Sequence, residues 1–434
     1  MIDALYTIFK KHPVVTTDSR KITKGCLFFA LKGETFDGNA FAAQAIENGA
    51  IFAIVDDPEL PHNESFIRVG DVLRTLQQLA TRHRRQFDFP VIGIAGSNGK
   101  TTTKELVSAV MSTQYNTHFT KGNLNNHIGV PLTLLELNED HEVAIIEMGA
   151  NHQKELHELC DIAEPTHGLI TNIGKEHLEG FGGLEGVKKG EAEIYHWLAA
   201  HKGTIFINDD EDFLQELLPT EGGRVINYAL SHSPSLSNPT YENVLKSANP
   251  YLEVGFLNSK EEMVYAQSNL IGDYNFGNIS TAIAIGKYFK VPTLKIKAGI
   301  EGYKPSMNRS QVLTLASGAT VILDAYNANP TSMQHALMSL SKMPQKNKIA
   351  IIGDMFELGE YSESEHSETL QFAKSLNFKE LITVGKHFSG VNTEGVTFHT
   401  TAEAKEWFNT KKFGKSSCLL IKASRGMRLE TLLQ

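Results

Sequence analysis

Short apolar runs alternate with amphipathic stretches along the whole chain. Each run has four to six residues, is rich in β-branched side chains and is followed by a glycine or an acidic residue. Such runs predict buried β-strands, and their alternation with helical patterns is typical of α/β domains with mostly parallel sheets. The clearest runs are residues 50–55 (AIFAIV), 91–95 (VIGIA), 143–146 (VAII), 320–323 (TVIL) and 349–352 (IAII).

The length of 434 residues predicts about three domains. The pattern is interrupted in residues 84–90 and again in residues 303–308, where Pro305 precedes a new series of strands. A serine-rich segment, residues 231–239, is expected to be a surface loop. We expect a smaller N-terminal α/β domain, a central domain with a mostly parallel sheet and a Rossmann-like C-terminal domain, formed by residues 1–87, 88–304 and 305–434.

The composition narrows the class of protein. With 41% hydrophobic and 21% charged residues the chain is expected to be soluble, and its net charge of −9 argues against a nucleic-acid partner. No apolar segment is long enough to span a bilayer or to act as a signal peptide, so we expect a cytoplasmic protein without membrane insertion. The three scattered cysteines predict buried thiols in a reducing compartment. A monomer is expected by default.

The strongest local signal is residues 93–103 (GIAGSNGKTTT), which follow an apolar run and precede a helical pattern. In this context glycines let backbone N–H groups surround phosphate oxygens, and the helix N-terminus adds its dipole. Lys100 would reach the β- and γ-phosphates, and the Thr101 hydroxyl would bind Mg²⁺. The strict phosphate-loop pattern would place glycine at Ile94. The alternative is a glycine-rich turn with a solvated lysine.

Residues 96–102 (GSNGKTT) resemble the phosphate loop of the Mur ligase and folylpolyglutamate synthase superfamily. Five further segments resemble the members that add D-alanyl-D-alanine. Three N-terminal segments resemble the UDP-binding domain that those members share with the tripeptide-forming ligases. The five are residues 120–131, 147–151, 171–182, 324–330 and 353–359, and the three are residues 18–20, 25–33 and 36–38. The resemblance therefore covers nearly the whole chain in the family's order, with a central phosphate-loop ATPase domain.

The resemblance implies an ATP-dependent amide ligase. ATP would phosphorylate the terminal carboxylate of a UDP-muramoyl tripeptide, and the amine of D-alanyl-D-alanine would displace phosphate from the acyl phosphate. The implied partners are these small molecules, and the implied cofactors are ATP and Mg²⁺. The implied ATP-binding residues of the loop are Gly96, Ser97, Asn98, Gly99, Lys100, Thr101 and Thr102.

The resemblance also implies metal ligands. Glu147 ends an apolar run, where a carboxylate is well placed to hold Mg²⁺ beside the phosphate loop, and His177 would bind a second Mg²⁺. In the family a carbamylated lysine occurs where the ungapped alignment puts Glu191, a permanent carboxylate that can serve the same purpose. A shifted alignment would instead bring in Lys188 or Lys189.

Further roles follow from the other matching segments. Asn275 and Asn278 would contact adenine, Arg309 would reach the ATP phosphates from the third domain, and Asp324 would lie near the ribose. Asn275 and Asn278 could equally belong to a helix cap. Lys100, Glu147, His177 and Arg309 are the implied catalytic residues. Substrate contacts are expected from Ser19, Arg20, Asn123, Asn126, Asn327 and Asn329.

Four residues of the expected C-terminal domain can each be interpreted in two ways. Asp354 and Glu357 could bind the incoming amine or cap a helix, and Lys422 and Arg425 could face the cleft or form an exposed basic turn. For the whole chain, the alternatives are the tripeptide-forming Mur ligase, folylpolyglutamate synthase, or a protein that binds a nucleotide without ligating anything. We also expect the domains to close around the substrates, bringing Arg309 to the phosphates.

Overall fold

The computed structural model describes residues 1–230, 240–248 and 250–434, so the surface loop expected at residues 231–239 lies outside the described residues. The N-terminal residues form a parallel sheet in the order β1-β2-β5-β6 and a small β3-β4 hairpin, with helices packed on the sheet. The elements are α1 Ile2–Lys11, β1 Val15–Thr16, β2 Leu27–Phe29, β3 Lys32–Gly33, β4 Phe36–Asp37, α2 Ala42–Glu47, β5 Phe52–Val55, β6 Phe66–Arg68 and α3 Val72–Arg84.

The second sheet has the order β15-β14-β13-β12-β11-β10-β7-β9-β8 and is parallel from β8 to β13, with β14 and β15 antiparallel at its edge. Its elements are β7 Val91–Ala95, α4 Lys100–Met111, β8 Thr117–Phe119, α5 Gly129–Leu135, β9 Val143–Glu147, α6 Glu155–Ala163, β10 His167–Ile170, α7 Leu178–Phe181, α8 Leu184–Ala200, β11 Thr204–Asn208, β12 Arg224–Leu230, β13 Tyr241–Ala248, β14 Tyr251–Leu257, β15 Met263–Ile271, α9 Asn275–Tyr288 and α10 Thr293–Gly302.

The third sheet has the order β16-β17-β21-β18-β19-β20, and only its edge strand β16 is antiparallel. Its elements are β16 Gln311–Thr314, β17 Thr320–Asp324, α11 Pro330–Lys342, β18 Asn347–Gly353, α12 Ser362–Ser375, β19 Glu380–Val384, α13 Lys386–Val391, β20 Val396–Phe398, α14 Thr401–Thr410 and β21 Ser417–Lys422.

This architecture confirms the predicted α/β class with three domains and mostly parallel sheets. Each of the five apolar runs forms a strand, although the first begins at Phe52 rather than at residue 50. All five residues of β7 and all five of β9 are buried, because helices cover both faces of the central sheet. Cys26, Cys160 and Cys418 are buried free thiols, as predicted. In the described part of the chain no helix is both long enough and apolar enough to cross a membrane.

The register of the central sheet brings three strand ends together. Ile94 of β7 lies opposite Glu147 of β9, and Ala95 lies opposite Ile170 of β10. Because the three strands are parallel, the segments that follow them leave the sheet at one edge, where parallel sheets commonly bind ligands. The third sheet places the end of β17 and the start of α11 against the same edge.

Candidate active site

The phosphate loop connects β7 to α4 and depends on two glycines. Gly96 has φ 118° and Gly99 has φ 82°, values that side-chain-bearing residues rarely adopt. A Cβ at Gly96 would come within 2.2 Å of Thr171 Oγ1, and one at Gly99 within 2.6 Å of Asn278 Oδ1. The loop is therefore pressed between the segment after β10 and the start of α9, with its N–H groups at the N-terminus of α4.

Glu147 lies directly beside this loop at the end of β9. Its Oε1 accepts hydrogen bonds from Thr101 Oγ1 (2.9 Å) and from Asn125 Nδ2 (2.8 Å). Its other oxygen, Oε2, is buried and has no hydrogen-bond partner among the described residues. A buried carboxylate oxygen without a partner is costly and signals a missing cation or donor.

Lys100 is held at the base of the loop. Its ammonium group donates to the carbonyl oxygens of Gly96 and Ser97 and lies 3.4 Å from Glu176 Oε2. Glu176 is buried and belongs to the segment after β10. Glu176 was not among the predicted site residues, although it directly precedes the predicted residue His177.

Glu191 on α8 approaches the loop from behind, where its Oε2 accepts a hydrogen bond from Gly96 N–H (2.6 Å). Burial raises the pKa of Glu191 to about 8. The positive charge of Lys100 lowers this pKa and the negative charge of Glu176 raises it, but burial has the largest effect. Burial likewise raises the pKa of Glu176. Burial alone would lower the pKa of Lys100, but the charges of Glu176, Glu191 and Glu147 raise it instead. The loop lysine thus stays protonated within a buried acidic cluster.

The donor set around Glu147 suits Mg²⁺. Among the described residues no group of three or more His, Cys, Asp or Glu side chains is arranged to hold a metal ion. Mg²⁺ in nucleotide sites, however, takes only one or two protein oxygens and completes its shell with water and substrate phosphates. The Thr101 hydroxyl and the unpartnered Glu147 Oε2 provide such oxygens.

The third domain contacts the phosphate loop directly. Asn329 caps α11 by accepting from Ser332 N–H (2.8 Å), and its Nδ2 donates to Asn98 Oδ1 of the loop (2.9 Å). Nearby, Lys175 forms a 2.6 Å ion pair with Glu365 of α12. Side chains of the central domain and of the third domain therefore enclose one cleft.

His177 and Glu357 meet across this cleft. The His177 Nδ1 atom contacts Glu357 Oε2, and this hydrogen bond lowers the pKa of Glu357. Asp354, in the same loop, instead accepts hydrogen bonds from the backbone N–H groups of His387 (3.0 Å) and Phe388 (2.9 Å) at the start of α13. Of the two interpretations given for these residues, helix capping therefore applies to Asp354, whereas Glu357 faces the cleft.

Arg309, Asp324 and Lys422 lie together at the third-domain side. The Arg309 guanidinium lies 3.8 Å from the centre of the Tyr326 ring, and its Nε has no hydrogen-bond partner among the described residues. Asp324 accepts from Ser310 N–H (3.1 Å) and pairs with Lys422 Nζ (2.7 Å). Because Lys422 is 2% exposed, the interpretation as an exposed basic turn is wrong for this residue.

The start of α9 lies under the phosphate loop. Asn278 Oδ1 accepts from Thr103 Oγ1 (3.0 Å), and Asn278 Nδ2 donates to Asn275 Oδ1 (2.8 Å). The preceding Tyr274 stacks on His335 of α11, with ring centres 5.2 Å apart and planes 7° apart. This further contact between the two domains was not predicted from the sequence.

One cavity of about 760 Å³ joins these groups. Most predicted site residues line it, namely Ser97, Asn98, Gly99, Lys100, Thr101, Thr102, Asn123, Asn126, Glu147, His177, Asn275, Asn278, Arg309, Asp324, Asn327 and Asn329. Gly96 of the loop and Glu191, which are hydrogen-bonded to each other, do not line the cavity. Residues that line the cavity but were not predicted to do so include Asn125, Glu176 and Tyr274.

Three residues that were predicted to contact the substrate either lie outside the cavity or hydrogen-bond to other parts of the protein. Ser19 and Arg20 lie outside this cavity, and Arg20 forms two hydrogen bonds to Asp18 (2.8 and 2.9 Å). Asn126 lines the cavity, but its Oδ1 accepts from Gly129 N–H (2.9 Å) at the start of α5. The neighbouring Asn125, rather than Asn126, reaches Glu147.

Comparison with known proteins agrees with this arrangement. Residues 13–84 match the family model described as "Mur ligase family, catalytic domain", residues 94–286 match "Mur ligase middle domain", and residues 308–413 match "Mur ligase, glutamate ligase domain". Together these matches cover most of the chain.

Individual relatives are similar over most of their length. The UDP-N-acetylmuramoyl-tripeptide–D-alanyl-D-alanine ligase of Bacillus subtilis (strain 168) is 34% identical, over 97% of this chain and 92% of the relative. The Escherichia coli (strain K12) enzyme of the same name is 36% identical over 89% and 84%. The crystal structure of MurF from Acinetobacter baumannii has a TM-score of 0.86 at 31% identity, covering 96% and 92%. The chain belongs to the Mur ligase family.

Proposed function

We propose that the protein is an ATP-dependent ligase that joins D-alanyl-D-alanine to UDP-N-acetylmuramoyl-tripeptide through an acyl phosphate. The similarity to relatives of that name supports the choice of substrates. The observation that carries the chemistry is the cavity in which the loop residues Lys100 and Thr101 and the strand-end Glu147 face Arg309 of the third domain. The tripeptide-forming ligase and the folate enzyme are not favoured, because the similar relatives add the dipeptide.

In this reaction the phosphate loop binds ATP. Backbone N–H groups of the loop and Lys100 neutralise the phosphate oxygens, while the carboxylates behind Lys100 keep it charged. Thr101 and Glu147 would hold Mg²⁺, which would neutralise charge on the transferring phosphoryl group. Asn275 and Asn278 contact the adenine side, and Asp324 lies near the ribose.

Glu191 takes the position of the family's modified lysine. A glutamate at this position needs no carbon dioxide to present paired oxygens, and its contact with Gly96 N–H ties it to the phosphate loop. We propose that Glu191 and His177 complete the polar surroundings of the metal and phosphates. His177 contacts Glu357 through Nδ1, so its other ring nitrogen, Nε2, would be the atom that holds a metal.

Arg309 acts on the ATP phosphates from the third domain. Its guanidinium rests on the Tyr326 ring with one N–H unused by the described residues, so it can bind phosphate oxygens without breaking an ion pair. Asn123, Asn126, Asn327 and Asn329 line the remaining walls and contact the tripeptide substrate. Ser19 and Arg20 bind its UDP group outside the cavity.

Several expectations remain predictions alongside this function. They are the domain boundaries 1–87, 88–304 and 305–434, the monomeric state, the cytoplasmic location and the requirement for Mg²⁺. The three sheets lie within those boundaries, since β6 ends at Arg68, β15 at Ile271 and β21 at Lys422.

The function is tested by phosphate release from Mg-ATP with three pairs of substrates. They are UDP-muramoyl tripeptide with D-alanyl-D-alanine, UDP-muramoyl dipeptide with a diamino acid, and a folate with glutamate. We expect turnover only with the first pair. Turnover with another pair would retain the ATP chemistry but refute the substrates, and no turnover with any pair would favour a binding protein.

A further inference from the structure

Two loops of the third domain lie side by side at the cavity. They follow β18 and β21, which are parallel neighbours, so both leave the sheet at the same edge. Ser424 joins them: its Oγ accepts from Phe356 N–H (2.9 Å) and its N–H donates to Asp354 O (3.1 Å). One loop carries Glu357 and the other carries Arg425, and both side chains line the cavity.

Glu357 is the carboxylate of the cavity best able to meet an incoming cation. Its side chain is 59% exposed, whereas Glu147 and Glu176 are buried beside the phosphate loop. Asp273 and Asp324 are paired with Lys342 and Lys422. Glu211 follows β11, which lies on the opposite side of β7 from Glu147. A carboxylate has about four lone-pair sites, so Glu357 can hold His177 and an ammonium group together.

Glu357 also faces the reacting end of the cavity. It contacts His177, whose neighbour Glu176 lies 3.4 Å from Lys100 of the phosphate loop. Its backbone has φ 63°, an uncommon value for a residue with a side chain, and its carbonyl accepts from Glu179 N–H (3.4 Å). The loop is thus seated on the central domain where an acyl phosphate would form.

Arg425 offers the complementary charge. Its side chain is 61% exposed, with Glu430 at 3.5 Å and the Tyr326 ring centre at 5.6 Å. Guanidinium groups match carboxylates with paired N–H donors. A dipeptide at neutral pH has an ammonium at one end and a carboxylate at the other.

We propose that Glu357 and Arg425 bind the two charged ends of the acceptor dipeptide, Glu357 its ammonium and Arg425 its carboxylate. This inference rests on the proposed function. Because the two loops are fastened together by Ser424, the charges set the direction of the acceptor, with its amine toward the phosphate loop. A zwitterionic dipeptide is therefore selected over one without a free carboxylate.

The first test is Arg425→Gln with two acceptors, D-alanyl-D-alanine and its C-terminal amide. For the unaltered protein we expect a clear preference for the free carboxylate. The variant should lose about tenfold in kcat/KM for the dipeptide, the usual scale for a charged hydrogen bond, while the amide is hardly affected. Arg428→Gln is the matched control, because Arg428 is exposed three residues later and does not line the cavity. Equal losses with both acceptors would overturn the assignment of Arg425.

The second test is Glu357→Gln, matched with Glu360→Gln in the same loop region, where Glu360 is exposed and outside the cavity lining. We expect KM for the dipeptide to rise about tenfold or more, with KM for ATP and for the UDP-tripeptide unchanged. A KM within twofold of the control would refute the ammonium site. If the unaltered protein does not use D-alanyl-D-alanine at all, the proposed function itself fails, a result that is distinct from both variant outcomes.

Discussion

Asn329 at the N-terminus of α11 donates a 2.9 Å hydrogen bond to Asn98 of the phosphate loop, 231 residues earlier in the chain. The same side chain accepts from Ser332 N–H as the cap of its own helix. One amide therefore starts a third-domain helix and also fixes that domain to the loop expected to bind ATP.

The variant Asn329→Ser should keep the helix cap and remove the contact to the phosphate loop. Serine is also a good helix cap, so stability should stay within about 0.5 kcal/mol, but its side chain cannot reach Asn98. We expect KM for ATP to rise about three- to tenfold, the range for one neutral hydrogen bond. Asn329→Ala should show the same KM and a further loss of about 1 kcal/mol in unfolding free energy. An unchanged KM for ATP in both variants would show that the contact is incidental.

Glu147→Gln tests the metal-binding role of the strand-end carboxylate. The amide can keep the contact to Thr101 but loses the charge that Mg²⁺ requires, so we expect turnover to fall about a hundredfold or more. Titration calorimetry of Mg-ADP should show weaker metal-dependent binding. Glu139→Gln, at an exposed position before β9, is the control. Full activity of Glu147→Gln at limiting Mg²⁺ would contradict the role.

Lys175 and Glu365 allow a charge-exchange experiment across the cleft. Lys175→Glu and Glu365→Lys should each reduce kcat/KM about two- to fivefold, because each places like charges where the 2.6 Å ion pair lies. The double variant should recover most of the loss. Failure of the double variant to recover, with both single variants impaired, would mean that the two side chains act independently.

Glu211 should make stability depend on pH. Burial raises its pKa to about 7, and the neighbouring Asp212 and Asp210 add to the increase. In the unfolded chain it loses its proton near the ordinary glutamate pKa, so the contribution of Glu211 to stability is fully present below that pKa and is lost as pH rises from there to about 7. Glu211→Gln should therefore be more stable than the unaltered protein above pH 7, by at most about 3 kcal/mol, and equal to it below about pH 4. Thermal unfolding measured from pH 4 to 8.5 tests this, with exposed Glu216→Gln as the control.

Local features of the site were predictable from the sequence. The apolar run before Gly96 and the helical pattern after Lys100 together specify a strand, a turn and a helix, so the phosphate loop follows from neighbouring residues alone. The position of Glu147 was equally predictable, because a carboxylate that ends a buried strand lies at the sheet edge where the loop begins.

Contacts between distant segments were not predictable in the same way. Asn123, Asn125 and Asn126 share one segment, and only the backbone path before α5 decides that Asn125 reaches Glu147 while Asn126 caps the helix. The pairing of Lys422 with Asp324 depends on the neighbouring positions of β17 and β21. No pattern within either strand encodes that neighbourhood.

The contacts from Asn98, Lys175 and His177 to the third domain have a consequence for recombination between relatives. Each contact has one partner on either side of the junction between the domains. A chimera that takes its third domain from a distant relative would inherit only half of every pair. Exchange of acceptor specificity between family members should therefore succeed only when the residues after β10 and in the phosphate loop are transferred with the domain.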